Sequence, residues 1–262
     1  MSFWDHLEEL RGVLFRSVLV LFILMVVAFC FKLEVFEVVF APLSSDFILY
    51  RLLDKLLISL RMSSIEEFNI QVQNIEMTAQ FFTHVKVSLY VALVIAMPYI
   101  FYQLWTFVRP ALYKNEKQVI RQTFGFAALL FYLGVAVGYY FVLPLTVRFL
   151  GTYQVSPDVP NIISLNSYIS MAVSLVMILG VIFEMPILAA ILSRIGLITK
   201  EMMKEYRKYA FVALLGLSAV IPPSGDAVTL FFVAIPLYCL YELSILVSRS
   251  EKYNEDVEDD IS

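Results

Sequence analysis

Residues 166–192 read NSYISMAVSLVMILGVIFEMPILAAIL, and a single charged side chain, Glu184, stands among them. A helix rises about 1.5 Å per residue, so roughly 20 apolar residues cross the ~30 Å hydrocarbon layer of a bilayer. This stretch can span with room for tilt. An acid at membrane depth costs on the order of 3 kcal/mol even on the lenient insertion scale. Glu184 must therefore face protein, water or a partner, either as a satisfied structural acid between helices or as a group with a use. Pro186, two positions on, withholds an N–H from the helix ladder, which predicts a kink there.

Five further apolar stretches lie outward from this one, at 12–31, 79–108, 122–145, 209–221 and 227–247. The one at 209–221 is short and the last contains Pro236. Bilayer thinning or tilting of neighbours accommodates a short span, so both are counted. The turn between them, PPSGD at 222–226, is tight enough to make them an antiparallel hairpin. The fold class is thus an all-α membrane protein with six transmembrane helices. Composition agrees: 60% of the 262 residues are hydrophobic and 16% charged, against about 45–50% and about 25% in soluble domains. One membrane domain over 1–248 accounts for the apolar sequence, and no further soluble domain is expected. At 249–262 follows a tail in whose last twelve positions six acids, Glu251, Glu255, Asp256, Glu258, Asp259 and Asp260, face only Lys252 as a basic residue. Such a run is a solvated end.

Orientation follows from the basic residues of the connections. On one side fall Arg11, Arg16, Arg109, Lys114, Lys117, Arg121, Arg194, Lys200, Lys204, Arg207, Lys208, Arg249 and Lys252; on the other only Lys32, Arg51, Lys55, Arg61 and Arg148. Both termini are therefore expected in the cytoplasm. The N-terminus carries Asp5, Glu8 and Glu9 where a cleavable signal would be positive, and no small-residue cleavage site follows. Cys30 and Cys239 fall toward opposite faces, so no disulfide is expected, and His6 and His84 are likewise too far apart for a shared metal.

The first outer loop, 32–78, is long for a connector. Ala41-Pro42-Leu43 reads as a turn, and Ser45 is placed to cap a helix with Phe47, Tyr50, Leu53, Leu57 and Leu60 on one face. That helix is too short and charged to span, and is expected to lie on the outer surface. Phe68, Ile70 and Val72 alternate with polar residues as an extended piece does. Gly134-x-x-x-Gly138 offers a close-packing face in the third span. No internal repeat is visible.

At the N-terminus Phe3, Leu7, Leu10 and Leu14 form one helical stripe with Asp5, Glu8 and Glu9 opposite, and Ser2-x-x-Asp5 has the form of a capping box. By pattern alone this is an interfacial helix feeding the first span. Its acidity is unusual, because the anionic cytoplasmic leaflet favours Lys and Arg. Acid held there needs a cationic partner or a use. Glu116, after Phe107-Val-Arg109-Pro110, reads either as a solvated loop acid or as part of a site, and Asp226 either as a turn residue or as a contact. Nucleotide-binding loops, H-E-x-x-H and G-x-S-x-G are absent. No enzymatic chemistry, cofactor, metal or nucleic acid is implied.

Four segments in order, His6-Leu-Glu-Glu9-Leu-Arg11, Phe107-x-x-Pro110-Ala-Leu-Tyr113-x-x-Glu116, Phe183-Glu184-x-Pro186 and Ala234-Ile-Pro236-x-Tyr238-x-x-Tyr-Glu242, resemble the TatC family over nearly the whole chain. The resemblance implies six helices in a curved, glove-like bundle in the bacterial inner membrane. It also implies the core subunit of a twin-arginine translocase. Such a subunit binds twin-arginine signal peptides of folded cargo and recruits small single-span subunits of the TatA and TatB type. Other copies of itself and membrane lipid are further partners, and the proton-motive force supplies the energy. The family's signal-peptide site carries onto Glu9 and Glu116, with Arg11 and Phe107 beside them. Pro42 and Pro98 match structural positions, Glu184 the intramembrane acid and Asp226 the acid of the last turn. The chain departs from the family at Gly12-Val13, where further basic residues are common, and at Leu230, where a glutamine is common.

The chemistry is consistent with this. Two guanidinium groups call for two carboxylates on one surface, each able to take a bidentate pair that lysine cannot form. The runner-up from another class is a proton-coupled secondary transporter using Glu184. Against it stand the lack of paired intramembrane charges, the lack of repeat halves, and two acids placed outside the bilayer.

Overall fold

The computed structural model describes residues 3–60, 68, 70–108, 117–154, 156, 158, 161–194, 196–220 and 227–248. Glu116, Pro110, the 222–226 turn with Asp226, Ser2 of the capping box and the acidic tail lie outside the described residues, as do the side chains of Phe3–His6.

The described elements are almost all helical. α1 (Phe3–Cys30) is one continuous rod, so the acidic N-terminal stripe and the first span are a single helix. α2 (Lys32–Phe40), a 3₁₀ turn (Ala41–Leu43) and α3 (Ile48–Ser59) form a cap beyond its end. α4 (Ala79–Val108) returns, with Pro98 inside it. α5 (Lys117–Val137) runs through a π-helical segment (Gly138–Val142) into α6 (Leu143–Thr152), carrying the third span beyond residue 145. α7 (Leu165–Ile182) and α8 (Met185–Arg194) share the fourth span, broken at Phe183-Glu184 as Pro186 predicts. α9 (Lys200–Glu205), α10 (Arg207–Val220) and α11 (Ala227–Val247) follow. Among the described residues five helices are long and apolar enough to cross a membrane; α10 has 14 residues and is not one of them.

α7 is the central element. Ile169, Leu175 and Leu179 are fully buried, and they cluster with Val142, Leu143, Leu214, Val233, Leu237 and Ile245. Lipid tails are as apolar as leucine, so close backbone approach rather than water exclusion holds such helices together. Gly134 of α5 and Gly138, which opens the π-helical segment, supply it. A Cβ at Gly134 would lie 2.6 Å from the Leu179 carbonyl oxygen, and one at Gly138 would lie 3.1 Å from the Val176 Cα. Gly180 returns the contact, with the Phe131 ring 2.9 Å from where its Cβ would stand. α1 contrasts with α7: Phe15, Val18 and Phe22 are each about two-thirds exposed, a lipid-facing surface.

The cap is fastened by tyrosine hydroxyls. Tyr139 and Tyr168 donate to the carbonyls of Val38 and Val39, each at 2.6 Å. These carbonyls belong to the last turn of α2, where backbone donors run out; Val38 O also accepts from the Ala41 N–H that closes the helix. Tyr50 donates to Pro144 O at 2.5 Å, and burial pushes its phenol up from the ordinary value, keeping it a donor. β1 (Val72–Gln73) pairs in parallel with β2 (Ile163–Ser164), in register Val72 to Ile163 and Gln73 to Ser164, so the extended piece of the loop is real but short. Two details of the cap correct the sequence reading. Ser45 caps nothing: α3 begins after Phe47, and Ser44 Oγ accepts from Asp46 N within the turn. Leu60 lies off the packed face and is 68% exposed. α8 ends in a Schellman arrangement, with Leu197 N donating to Leu192 O and Gly196 N to Ser193 O while Gly196 has φ +77°.

Candidate functional site

α1 and α4 lie antiparallel and packed along their length. At the cap end the Phe29 ring stacks on His84 with centroids 3.8 Å apart. Counting equally down both helices from that pair brings Glu9 level with Leu104. Glu9 thus sits beside the stretch that holds Gln103 and Phe107. Its Oε2 is shielded from solvent and meets no hydrogen-bond donor. A shielded carboxylate oxygen without a donor is costly unless a cation or N–H arrives. Gln103 is 4% exposed; its Nε2 donates to the Tyr99 hydroxyl at 2.7 Å, and its Oε1 also lacks a partner. Phe107 is half-buried in the last turn of α4. Arg11 is exposed and edges an open apolar face of the same helix, made of Leu7, Leu10, Leu14, Phe15 and Val18. An exposed guanidinium, a shielded carboxylate and an apolar face thus share the beginning of α1.

Glu184 stands at the seam of α5, α7 and α8. Its backbone closes the break: Glu184 N donates to Val181 O at 3.1 Å, and Ile187 N and Leu188 N both donate to Glu184 O at 3.0 Å. Phe183 and Leu179, one turn back, are the residues that Gly134 of α5 touches. The side chain is half-buried with Oε1 shielded and unpartnered. Pro42 is buried in the 3₁₀ turn, and Pro98 lies within α4.

Three polar features escaped the sequence reading. Gln103 is one. Lys86 in α4 is another: it crosses to α7, where its Nζ donates to Ser170 Oγ at 2.9 Å, and Ser170 in turn meets Asn166. The third is a clasp at the far end of α11. Arg207 donates to Glu242 Oε2 at 2.6 Å, Tyr238 to Glu242 Oε1 at 3.0 Å, and Tyr241 to Met203 O at 2.7 Å. The clasp ties α9 and the first residue of α10 to α11. Arg207 was counted for orientation and Glu242 was quoted in a motif, but the sequence holds no sign that residues 35 apart meet.

A helical bundle of this length and apolarity is that of a multi-pass membrane protein. The family model for Sec-independent protein translocase protein (TatC) matches residues 5–236. The chain is 36% identical to the Sec-independent protein translocase protein TatC of Blattabacterium sp. subsp. Periplaneta americana (strain BPLAN), over 95% of each chain. It is 33% identical to the TatC of Deinococcus radiodurans, over 94% of this chain and 85% of that one. A crystal structure of the twin arginine translocase receptor TatC in DDM superposes with a TM-score of 0.72 at 34% identity, covering 93% of this chain and 99% of that one. The chain belongs to the TatC family of Sec-independent protein translocases and is a multi-pass protein of the bacterial inner membrane.

Proposed function

We propose that this protein is the signal-peptide receptor and core subunit of a twin-arginine translocase. The observation that carries the reading is the shielded, donorless Oε2 of Glu9, about one turn short of the level of Phe107. One arginine of a signal peptide pairs with Glu9 and the second with Glu116, in the segment that follows Phe107. Both acids belong on the cytoplasmic side by the basic-residue count, where cargo is presented. Arg11 shapes the site by repelling peptides that place a cation elsewhere. The open apolar face along Leu7, Leu10 and Leu14 offers a surface for the hydrophobic stretch of the peptide. Small single-span subunits are recruited within the membrane, and folded cargo crosses at the expense of the proton-motive force. Glu184, half-buried and short of a partner, serves assembly or transport rather than peptide recognition. Family membership argues against the solute-transporter alternative. The test is binding of a twin-arginine peptide to the purified protein, compared with a twin-lysine peptide. Tight, salt-sensitive binding of the arginine form alone supports the receptor. Equal binding of both forms refutes the paired-carboxylate site.

A further inference from the structure

α3 has two working faces, and the bundle uses one. Phe47, Leu49 and Tyr50 are buried, with Leu53 packed beside them. On the opposite side Ile48, Leu52 and Leu56, each four residues from the last, are 54%, 52% and 58% exposed. At about 100° per residue they form one continuous stripe. Arg51 and Lys55 are also exposed and run along one edge of it. Arg51 meets Asp46 at 3.3 Å, but both side chains are largely in solvent, so the pair is loose.

The depth of this stripe can be read from its neighbours. The Phe47 ring stacks on Tyr140 with centroids 5.9 Å apart. Tyr140 and Phe141 are 44% and 53% exposed and lie in the apolar stretch Gly125–Thr152, which is long enough to cross the membrane. Their outward faces meet lipid. α3 therefore starts against a lipid-facing surface, and Ile48, the next residue, continues it.

We propose that α3 is an interfacial membrane anchor: Ile48, Leu52 and Leu56 enter the acyl boundary of the leaflet at the cap end, with Arg51 and Lys55 reaching the phosphates above. An apolar stripe edged by long basic side chains is the arrangement that such helices use. The anchor holds the cap down on the bilayer independently of peptide recognition at the other end of the bundle.

The experiment uses the full chain with Cys30→Ala and Cys239→Ala, carrying Leu52→Cys or Leu56→Cys labelled with a bimane fluorophore and reconstituted in phosphatidylcholine–phosphatidylglycerol vesicles. Both positions are exposed, so the variants fold, which a single symmetric elution peak verifies. Vesicles containing 5-doxyl phosphatidylcholine are expected to cause a loss of emission at both positions, while iodide present on both sides of the membrane causes none. Quenching by iodide places the stripe in water and overturns the proposal. Protection from both quenchers means that protein, such as a second copy of this chain, covers it, and overturns the proposal equally.

Discussion

Glu9 and Glu184 are the same residue type in opposite settings, and the setting decides what each can do. Glu9 is near the N-terminal end of α1 with a shielded, unpartnered oxygen; Glu184 is locked into a helix break within an apolar span. A charge-assisted hydrogen bond contributes about 1.5–3 kcal/mol, and tenfold in affinity corresponds to about 1.4 kcal/mol. Glu9→Gln and Glu116→Gln are each expected to weaken a twin-arginine peptide by roughly tenfold or more. The loss should shrink for a twin-lysine peptide, as calorimetry or fluorescence titration would show. Glu184→Ala should leave that affinity unchanged while impairing transport in vesicles; disappearance of the protein from the membrane would instead show a purely structural acid. Glu184 was legible in the sequence because one charge in a long apolar run has few explanations. Gln103 and Lys86 were not legible. Each is one polar side chain in a span that tolerates it, and its meaning depends on a shielded lone pair or on Ser170, more than 80 residues away.

Among the elements, the α5–α7 seam is the most sensitive to small changes. Gly134→Ala puts a methyl 2.6 Å from the Leu179 carbonyl oxygen, an atom that moves only if the helix moves. Overpacking of this kind costs about 1–3 kcal/mol. Gly125, on the same helix, has nothing within 4 Å, so Gly125→Ala should be neutral or slightly stabilising, because alanine is the better helix former. Thermal unfolding of both variants in detergent reads the difference. Gly196→Ala tests the end of α8: the φ of +77° disfavours any Cβ, and a loss of about 1 kcal/mol is expected. Helix existence and the Pro186 break followed from apolar length and the missing N–H. Element ends were harder. Ser45 looked like a cap because serine beside an apolar run usually is one, yet Phe47 starts α3 because its ring is wanted against Tyr139 and Tyr140. The π-helical segment left no mark in the sequence; it carries Tyr139, whose hydroxyl reaches Val38 O.

For the molecule as a whole, the uneven distribution of Lys and Arg sets the expected orientation. Cysteines placed at 60 should react with an impermeant reagent in intact cells, and cysteines at 115 and 202 only after the inner face is opened. Labelling at 115 from outside would reverse the topology. Five of the six expected spans were legible from hydropathy; α10, with 14 residues, is not among the helices long and apolar enough to cross. The packing order was not legible, because apolar faces turned to lipid and to neighbours read alike. That order has a consequence for synthesis. In α1 only 11% of the membrane-spanning window is buried, whereas the later spans bury 22–39%. α1 is made before the other described spans, and most of its surface is left to lipid. α4 follows with His84 and Lys86, whose partners are Phe29 of the helix already inserted and Ser170 of one not yet made. Lys86 in α4 therefore lacks its Ser170 partner until about 80 more residues have been added, so this link between α4 and α7 closes late in synthesis.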